Sequence, residues 1–491
     1  MTECRQYIAV DLGAESGRVV LASISDQQVK LVEAHRFPNG PIRDNDSIRW
    51  DFGKLMSEIK TGIGKAVILS DKPVSGIGID SWGVDFGLIG SDGALLENPY
   101  HYRDSRTDGM MEKAFEMMDR RDLYAHTGIQ FMQLNSVYQL LAMRLANSQS
   151  LSQAAKLIFM ADLVGYYLCG AIYGEYTLAS TSQLMDMRTG TWSEAVFDSL
   201  GLRIDLMPEI VRPGTVVGRL KDQLASELRI EPIPVIAVGS HDTACAVAGV
   251  PVSGGNWAYI SSGTWSLVGL EVPQAIIDDK TYRYSFTNEG GIDHTIRLLK
   301  NVMGLWLVQE CRRQWLADGD TLSYEDLTEM ARQAKPFVAC VDPDYHEFLA
   351  PGSMPAKINR CLEKTGQQPI NDKGQMIRII LESLALKYRL VVERLEEIRG
   401  HKIDLLHVVG GGIKNELLCQ LTADSTGCSV IAGPAEAAAA GNAIVQAWAA
   451  GQIPSLGRGR DIIGNSFDLK SYIPQNTKTW DSRYELLADK W

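Results

Sequence analysis

Ser240-His241-Asp242-Thr243 puts a carboxylate, an imidazole and two hydroxyls on four consecutive residues, between the apolar run Val235 to Gly239 and the small-residue run Ala244 to Ala248. That context reads as strand, turn and helix start, with Asp242 at the helix N-terminus. The positive end of a helix favours an ionised carboxylate, and a general base must be ionised to take the proton of an attacking hydroxyl. The plainer use of the same residue is an N-cap. Neighbouring Ser, His and Asp do not make a hydrolytic triad, because a triad is assembled in space, so a hydrolase is set aside.

Two turns have the chemistry of anion sites. In Asp11-Leu-Gly-Ala-Glu-Ser-Gly-Arg18 the glycines let backbone N–H groups approach an anion, Ser16 and Arg18 are donors to phosphate, and Asp11 is suited to a Mg²⁺-bound water. An ordinary hairpin turn with Arg18 in a surface pair is the alternative. The segment is not a P-loop, since Gly-Lys-Ser/Thr is missing and a strand follows. Ser261-Ser-Gly-Thr264 is a second such turn, or else simply a tight hairpin. One turn in each half would clamp the β- and γ-phosphates of a nucleotide from opposite lobes. Gly410-Gly411-Gly412 follows a short apolar strand and leaves flat backbone for an adenine or ribose, with Asn415 at the next helix start. Room for helix packing is the other use of three glycines. Without the Gly-x-Gly-x-x-Gly spacing, nicotinamide chemistry is the poorer reading.

Ile79-Asp-Ser-Trp-Gly-Val-Asp-Phe86 suits a polyhydroxylated ligand: Trp82 offers an apolar face, Gly83 close backbone approach, and Asp80 and Asp85 accept hydroxyl hydrogen bonds. Either aspartate serves equally as a turn former. Tyr102 to Arg106, Asn288 to Gly291, and Lys300 with Asn301 are further polar clusters, or solvated loops and caps.

These residues need elements to hold them. Tyr7 to Ile24 reads as a hairpin around the first turn, and Trp257 to Leu270 as a second one, so the chain looks duplicated. Between them lie an alternating strand at Val74 to Asp80, helical stretches at Met111 to Asp122 and Gln139 to Ala146, and the strand before Ser240. Pro208 to Gly218 and Glu231 to Pro234 read as loops. Val250-Pro-Val-Ser-Gly-Gly255 reads as the crossing between domains 1–249 and 250–491. Later, Met376 to Arg399 predicts a long packed helix capped by Gly400, and Leu405 to Val409 a strand feeding the glycines. Ala435 to Ala450 predicts a buried Ala-rich helix, too short and polar to span a bilayer.

Bulk properties bound the rest. At 491 residues, two or three domains are expected. A hydrophobic share of 45% and charged share of 22% are those of a folded chain. A net charge of -12 leaves no basic footprint for nucleic acid. The opening Met-Thr-Glu-Cys-Arg-Gln-Tyr runs into a strand without the apolar core of a secretory signal, so a cytoplasmic location with no membrane partner is expected. Eight cysteines lack any C-x-x-C pair, which suits reduced thiols and predicts no structural zinc.

Taken in order, Asp11 to Arg18, Gly78 to Phe86, Tyr102-Arg-Asp-Ser-Arg-Thr107, Ser240 to Ala244, Ser261 to Leu267, Lys300-Asn-Val-Met-Gly-Leu-Trp306 and Val409 to Gly412 resemble the FGGY carbohydrate kinases, within the actin, hexokinase and Hsp70 superfamily. The resemblance spans nearly the whole chain and is closest to the branch that phosphorylates L-rhamnulose. It implies an α/β fold of two actin-like, ribonuclease-H-like domains with an interdomain catalytic cleft that closes over its ligands. It implies ATP with Mg²⁺, a small sugar substrate, a monomer or homodimer, and Asp242 as the base. By motif position, Ala14, Glu15, Ser16, Gly17, Arg18, Thr264, Gln309, Gly410, Gly411 and Gly412 would contact ATP. Gly83, His241, Asp242, Thr243 and Asn301 would contact sugar, and Asp11 the metal. Glu15 departs from the family pattern: unless it points outward, it repels the nucleotide. L-fuculose or another ketose is the alternative substrate, and a non-catalytic actin-like sugar or nucleotide binder the alternative of another class.

Overall fold

The computed structural model describes residues 4–252 and 254–485. Met1 to Glu3 of the opening segment, and Ser253 of the expected crossing, lie outside the described residues. The chain forms two compact units, each discontinuous in sequence. The first comprises residues 1–253, 271–298 and 437–467, the second residues 254–270, 299–436 and 468–491. Two segments from the C-terminal half, 271–298 and 437–467, therefore build the first unit.

The sheet of the first unit has six strands: β1 (Arg5–Leu12), β2 (Ser16–Ile24), β3 (Val29–Pro38), β4 (Val74–Ser81), β5 (Thr215–Arg219) and β6 (Pro234–Ala237), in the order β5-β6-β4-β1-β2-β3. The expected hairpin is β1 against β2, antiparallel. β4 runs parallel to both β1 and β6. It does not alternate between core and solvent as its residues suggested: Gly76 to Ser81 are all buried, because both faces of this central strand are covered. β5 falls inside the stretch read as a loop. It is an edge strand with half its side chains turned outward, Val216 among them, so it carries little apolar signal. The single helix expected over Met111 to Asp122 is two, Met110–Met117 and Arg120–Thr127. Met118 is extended between them, and Asp119 caps the second by accepting from the Arg121 N–H.

Helices Asp242–Ala248 and Ala437–Ala449 pack together in the first unit. A Cβ on Gly441 would lie 1.8 Å from the Cys245 carbonyl oxygen, so only glycine permits this approach. Tyr7, Ile236, Val238, Cys245, Ala440, Ala443 and Ile444 form the core around the contact. Burying each large apolar side chain contributes about 1.5–3 kcal/mol.

In the second unit, Trp257–Ser262 and Trp265–Val272 form the second hairpin, antiparallel as expected. Trp257–Ser262 also runs parallel to Leu405–Val409, which pairs on its other side with Ser429–Ala432, and that strand in turn with Lys470–Tyr472. The long helix is Lys373–Arg399 and ends at Gly400 (φ 77°), whose N–H donates to the Glu396 carbonyl. Among the described residues no helix is long and apolar enough to cross a membrane.

Candidate active site

In the first unit, strand register does what sequence spacing could not. Asp11 of β1 pairs with Arg18 of β2 on one side and with Asp80 of β4 on the other. One residue further, Ser81 is bridged to His241, and its N–H donates to the Ser240 carbonyl at 2.8 Å. The parallel strands thus deliver Asp11, Asp80 and the Ser240-His-Asp-Thr segment to one end of the sheet, where open α/β sheets place ligands.

Arg18 donates to Asp11 Oδ2 from Nε at 2.9 Å and Nη2 at 2.6 Å. Part of its charge is thereby spent within the protein. The turn between them is rigid: the Gly13 N–H donates to the Ser16 carbonyl, and Asn39 Nδ2 to the Gly13 carbonyl at 2.8 Å. Glu15 is half-buried, and its carbonyl accepts from the Asn39 N–H at 3.0 Å. Asp80 is fully buried, with Oδ2 accepting from Asn442 Nδ2 at 2.6 Å. Burial, and then the Asp11 charge, push its carboxyl far above the usual aspartate range.

His241, not Asp242, takes the cap position of helix Asp242–Ala248, and Asp242 is its first residue. About a third of the Asp242 side chain (33%) is exposed. Its Oδ1 accepts from Thr243 Oγ1 at 3.1 Å and lies 3.5 Å from His241 Nε2. The helix terminus alone suggested a readily ionised carboxylate. Burial instead raises its pKa, opposed by His241 and reinforced by Asp11.

A clamp absent from the motif list holds this segment. Glu175 Oε2 accepts from the N–H groups of Ser240 and Leu178, both at 3.0 Å, and from Thr177 Oγ1 at 2.6 Å. Thr177 Oγ1 accepts in turn from the His241 N–H at 3.1 Å. Burial pushes Glu175 up to about 7. Asp162 Oδ2 accepts from the Glu175 N–H at 2.9 Å, so two carboxylates share this pocket. Gly174-Glu-Tyr-Thr177 carries neither periodicity nor a glycine pattern that would have marked it.

The sugar-like segment resolves into two parts. Gly83 sits over Thr181, whose Oγ1 accepts from the Val84 N–H at 3.0 Å. Val84 has φ 70°, a strained conformation for a β-branched residue, costing about 1–3 kcal/mol. Ser136 Oγ holds it by donating to the Val84 carbonyl at 2.5 Å. Asp85 and Trp82, by contrast, belong to the interior. Asp85 Oδ2 accepts from Trp50 Nε1 at 2.7 Å, Trp82 Nε1 at 3.0 Å and the Tyr102 N–H at 3.1 Å, while Oδ1 accepts from Gln139 Nε2 at 3.0 Å. Burial pushes its pKa up to about 6. Trp82 packs on Trp50 with ring centroids 4.1 Å apart and is 6% exposed. These two residues buttress the turn that carries Gly83.

The second unit holds five of the ten expected nucleotide residues, Thr264, Gln309 and Gly410 to Gly412. The hairpin tip at Gly263 and Thr264 accepts from the N–H groups of Gly304, Leu305 and Trp306, which begin the helix carrying Gln309. A Cβ on Gly412 would lie 2.0 Å from Ser262 Oγ, and one on Gly410 2.9 Å from the Ser262 carbonyl oxygen. A Cβ on Gly411 meets nothing within 4 Å. Gly410 and Gly412 thus serve the hairpin contact, and Gly411 faces open space. Gln309 Oε1 is a buried acceptor with no protein partner, which fits a donor on a nucleotide. Asn301 is half-buried on strand Ile296–Met303. Ala14 to Arg18 belong to the first unit, with Asp11, Gly83 and His241 to Thr243.

For Mg²⁺, the donor set fits an ion held mostly through water. The Asp11 charge is felt at Asp242, and among the described residues no group of three or more metal-ligating side chains converges. Mg²⁺ characteristically keeps several waters and one or two carboxylates.

The fold is that of a two-domain carbohydrate kinase. The N-terminal domain of the FGGY family of carbohydrate kinases matches residues 6–249, and the C-terminal domain matches residues 258–450. The chain belongs to this family. Over 480 residues it is 42% identical to the rhamnulokinase of Bacteroides thetaiotaomicron, covering 98% of each chain. It is 38% identical to that of Ligilactobacillus salivarius, covering 96% of each. Among solved structures, the xylulose kinase of Lactobacillus acidophilus superposes with TM-score 0.82 at 18% identity, covering 99% of this chain and 97% of that one. The glycerol kinase of Plasmodium falciparum with ADP gives TM-score 0.76 at 14% identity, over 99% and 98%. At those identities they bear on the fold alone.

Proposed function

We propose that this carbohydrate kinase transfers the γ-phosphate of ATP to the 1-hydroxyl of L-rhamnulose, giving L-rhamnulose 1-phosphate and ADP in L-rhamnose breakdown. The observation that carries the reading is the full-length similarity to enzymes named rhamnulokinase. Asp242 takes the hydroxyl proton as the sugar oxygen bonds to phosphorus and the bond to the ADP oxygen breaks. His241, Thr243, Gly83 and Asn301 orient the sugar. Thr264, Gln309 and Gly410 to Gly412 hold the nucleotide, with the turn Ala14 to Arg18 donating to its phosphates. Asp11 would hold Mg²⁺, which when bound would supply charge neutralisation at the phosphates. The domain boundary near Val250 belongs to this proposal, as does a cytoplasmic location.

An ADP-release assay at fixed Mg-ATP tests it, comparing L-rhamnulose with L-fuculose, L-ribulose, D-xylulose and glycerol. Marked preference for L-rhamnulose is expected. Preference for another sugar would move the substrate and keep the chemistry. No turnover with any of them would overturn the reading.

A further inference from the structure

Asn288 to Gly291 stood out in the sequence without a task, and the structure places Glu289 of that segment, together with Arg297, beside His241. Arg297 is completely buried. Its Nε donates to the Gly290 carbonyl at 2.8 Å, and Nη2 lies 3.1 Å from His241 Nδ1 within hydrogen-bonding geometry. Glu289 Oε2 lies 3.1 Å from Arg297 Nη2 and 3.1 Å from the same His241 nitrogen. The ring therefore faces a guanidinium and a carboxylate on one side and Asp242 on the other, where Nε2 is 3.5 Å from Oδ1.

We propose that Arg297 is a positioning residue that fixes the His241 tautomer. A guanidinium is always charged and only donates, so a hydrogen bond to Nδ1 requires a lone pair there. The single proton of the neutral ring then sits on Nε2, on the Asp242 side. Glu289 balances the buried guanidinium, which would otherwise be a costly isolated charge. The Gly290–Arg297 bond and the Thr177 contact to the His241 N–H fix both ends of the arrangement. An Nε2–H donor beside Asp242 steadies the ionised base and presents one fixed donor to a sugar hydroxyl oxygen. That last role rests on the proposed function, whereas the tautomer does not.

The test is long-range ¹H–¹⁵N correlation on the full-length protein labelled with ¹⁵N-histidine. His241 is one of eight histidines and is assigned by the signals lost in His241→Gln. Expected is a bare Nδ1 and a protonated Nε2. A proton on Nδ1, shared with Glu289, overturns the proposal. Kinetics supply the second arm: Arg297→Met lowers kcat/KM for the sugar at least tenfold with KM for ATP unchanged, and Arg297→Lys restores part of it. Unaltered sugar kinetics in folded Arg297→Met also overturns it. If that variant does not fold, the wild-type spectrum decides. Failure of every sugar in the wild-type assay would defeat the kinase reading and leave the tautomer legible, so the two fail separately.

Discussion

Asn442 donates a 2.6 Å hydrogen bond to Asp80 across 362 residues of sequence, tying a helix from the end of the chain to the central strand of the first unit. Asn442 Oδ1 in turn accepts from Gln446 Nε2 at 2.7 Å. A buried carboxylate whose pKa is raised binds its proton more tightly folded than unfolded. Its contribution is favourable at low pH and is lost as pH rises through the folded value. Asp80→Asn is therefore expected to raise Tm at about pH 8, and by less at about pH 5. Asn442→Ala removes the donor and is expected to cost about 1–3 kcal/mol. Thermal melts of both variants across pH check the pair; an Asp80→Asn variant that melts lower at the higher pH would contradict the sign.

Asp242 as base predicts both a mutant and a profile. Asp242→Asn should lower kcat by about 10²–10⁴-fold, with sugar and ATP binding largely retained. With Asp242 in that role, wild-type activity would need the ionised carboxylate, so kcat is expected to fall as pH drops through its pKa. Because burial raises that pKa, the acid limb is expected above the 3.8 of an ordinary aspartate. Turnover by Asp242→Asn at the wild-type rate would remove the assignment.

Gly411 and Gly412 separate ligand contact from packing. Gly412→Ala forces a Cβ onto Ser262 and is expected to cost about 1–3 kcal/mol of stability. Gly411→Ala meets no protein atom, so its Tm should stay near wild type. If backbone at this loop carries the nucleotide, its KM for ATP rises about tenfold, an effect of about 1.4 kcal/mol. An unchanged KM would take Gly411 out of the nucleotide site.

Glu175 predicts a stability slope. Its pKa is pushed up by burial from 4.5 to about 7, so its proton favours the folded state at low pH. That stability is lost as pH rises through about 7. Glu175→Gln keeps an acceptor for the Ser240 N–H and should flatten the fall of Tm over this window. A slope equal to wild type would assign the titration elsewhere, with Asp162 the first alternative.

Much was legible in the chain itself. Both hairpins with their turns, the strand into Ser240, the Gly400 cap and the Ala-rich helix rest on local patterns: β-branched runs, turn residues, helical periodicity. Each is decided within one or two turns of chain, which is the range over which sequence pattern acts. Edge strand β5 and the break at Met118 escaped because weak apolar alternation and a single extended residue leave almost no local trace.

Tertiary structure alone decided what meets what. Asp11, Asp80 and His241 converge because parallel register aligns strands that are distant in sequence, and no local pattern specifies register between them. Asp80 and Asp85 look alike in sequence, two carboxylates around Gly83. Only packing separates them: Asp85 is enclosed by four donors, whereas Asp80 stands in the field of Asp11 and Asp242. Glu175, Asn442, Glu289 and Arg297 could not be assigned from the chain, because a buried polar group is defined by the partners that desolvate and satisfy it. The residues that could do chemistry were written in the sequence; which of them meet, and how deeply each is buried, was decided by the fold.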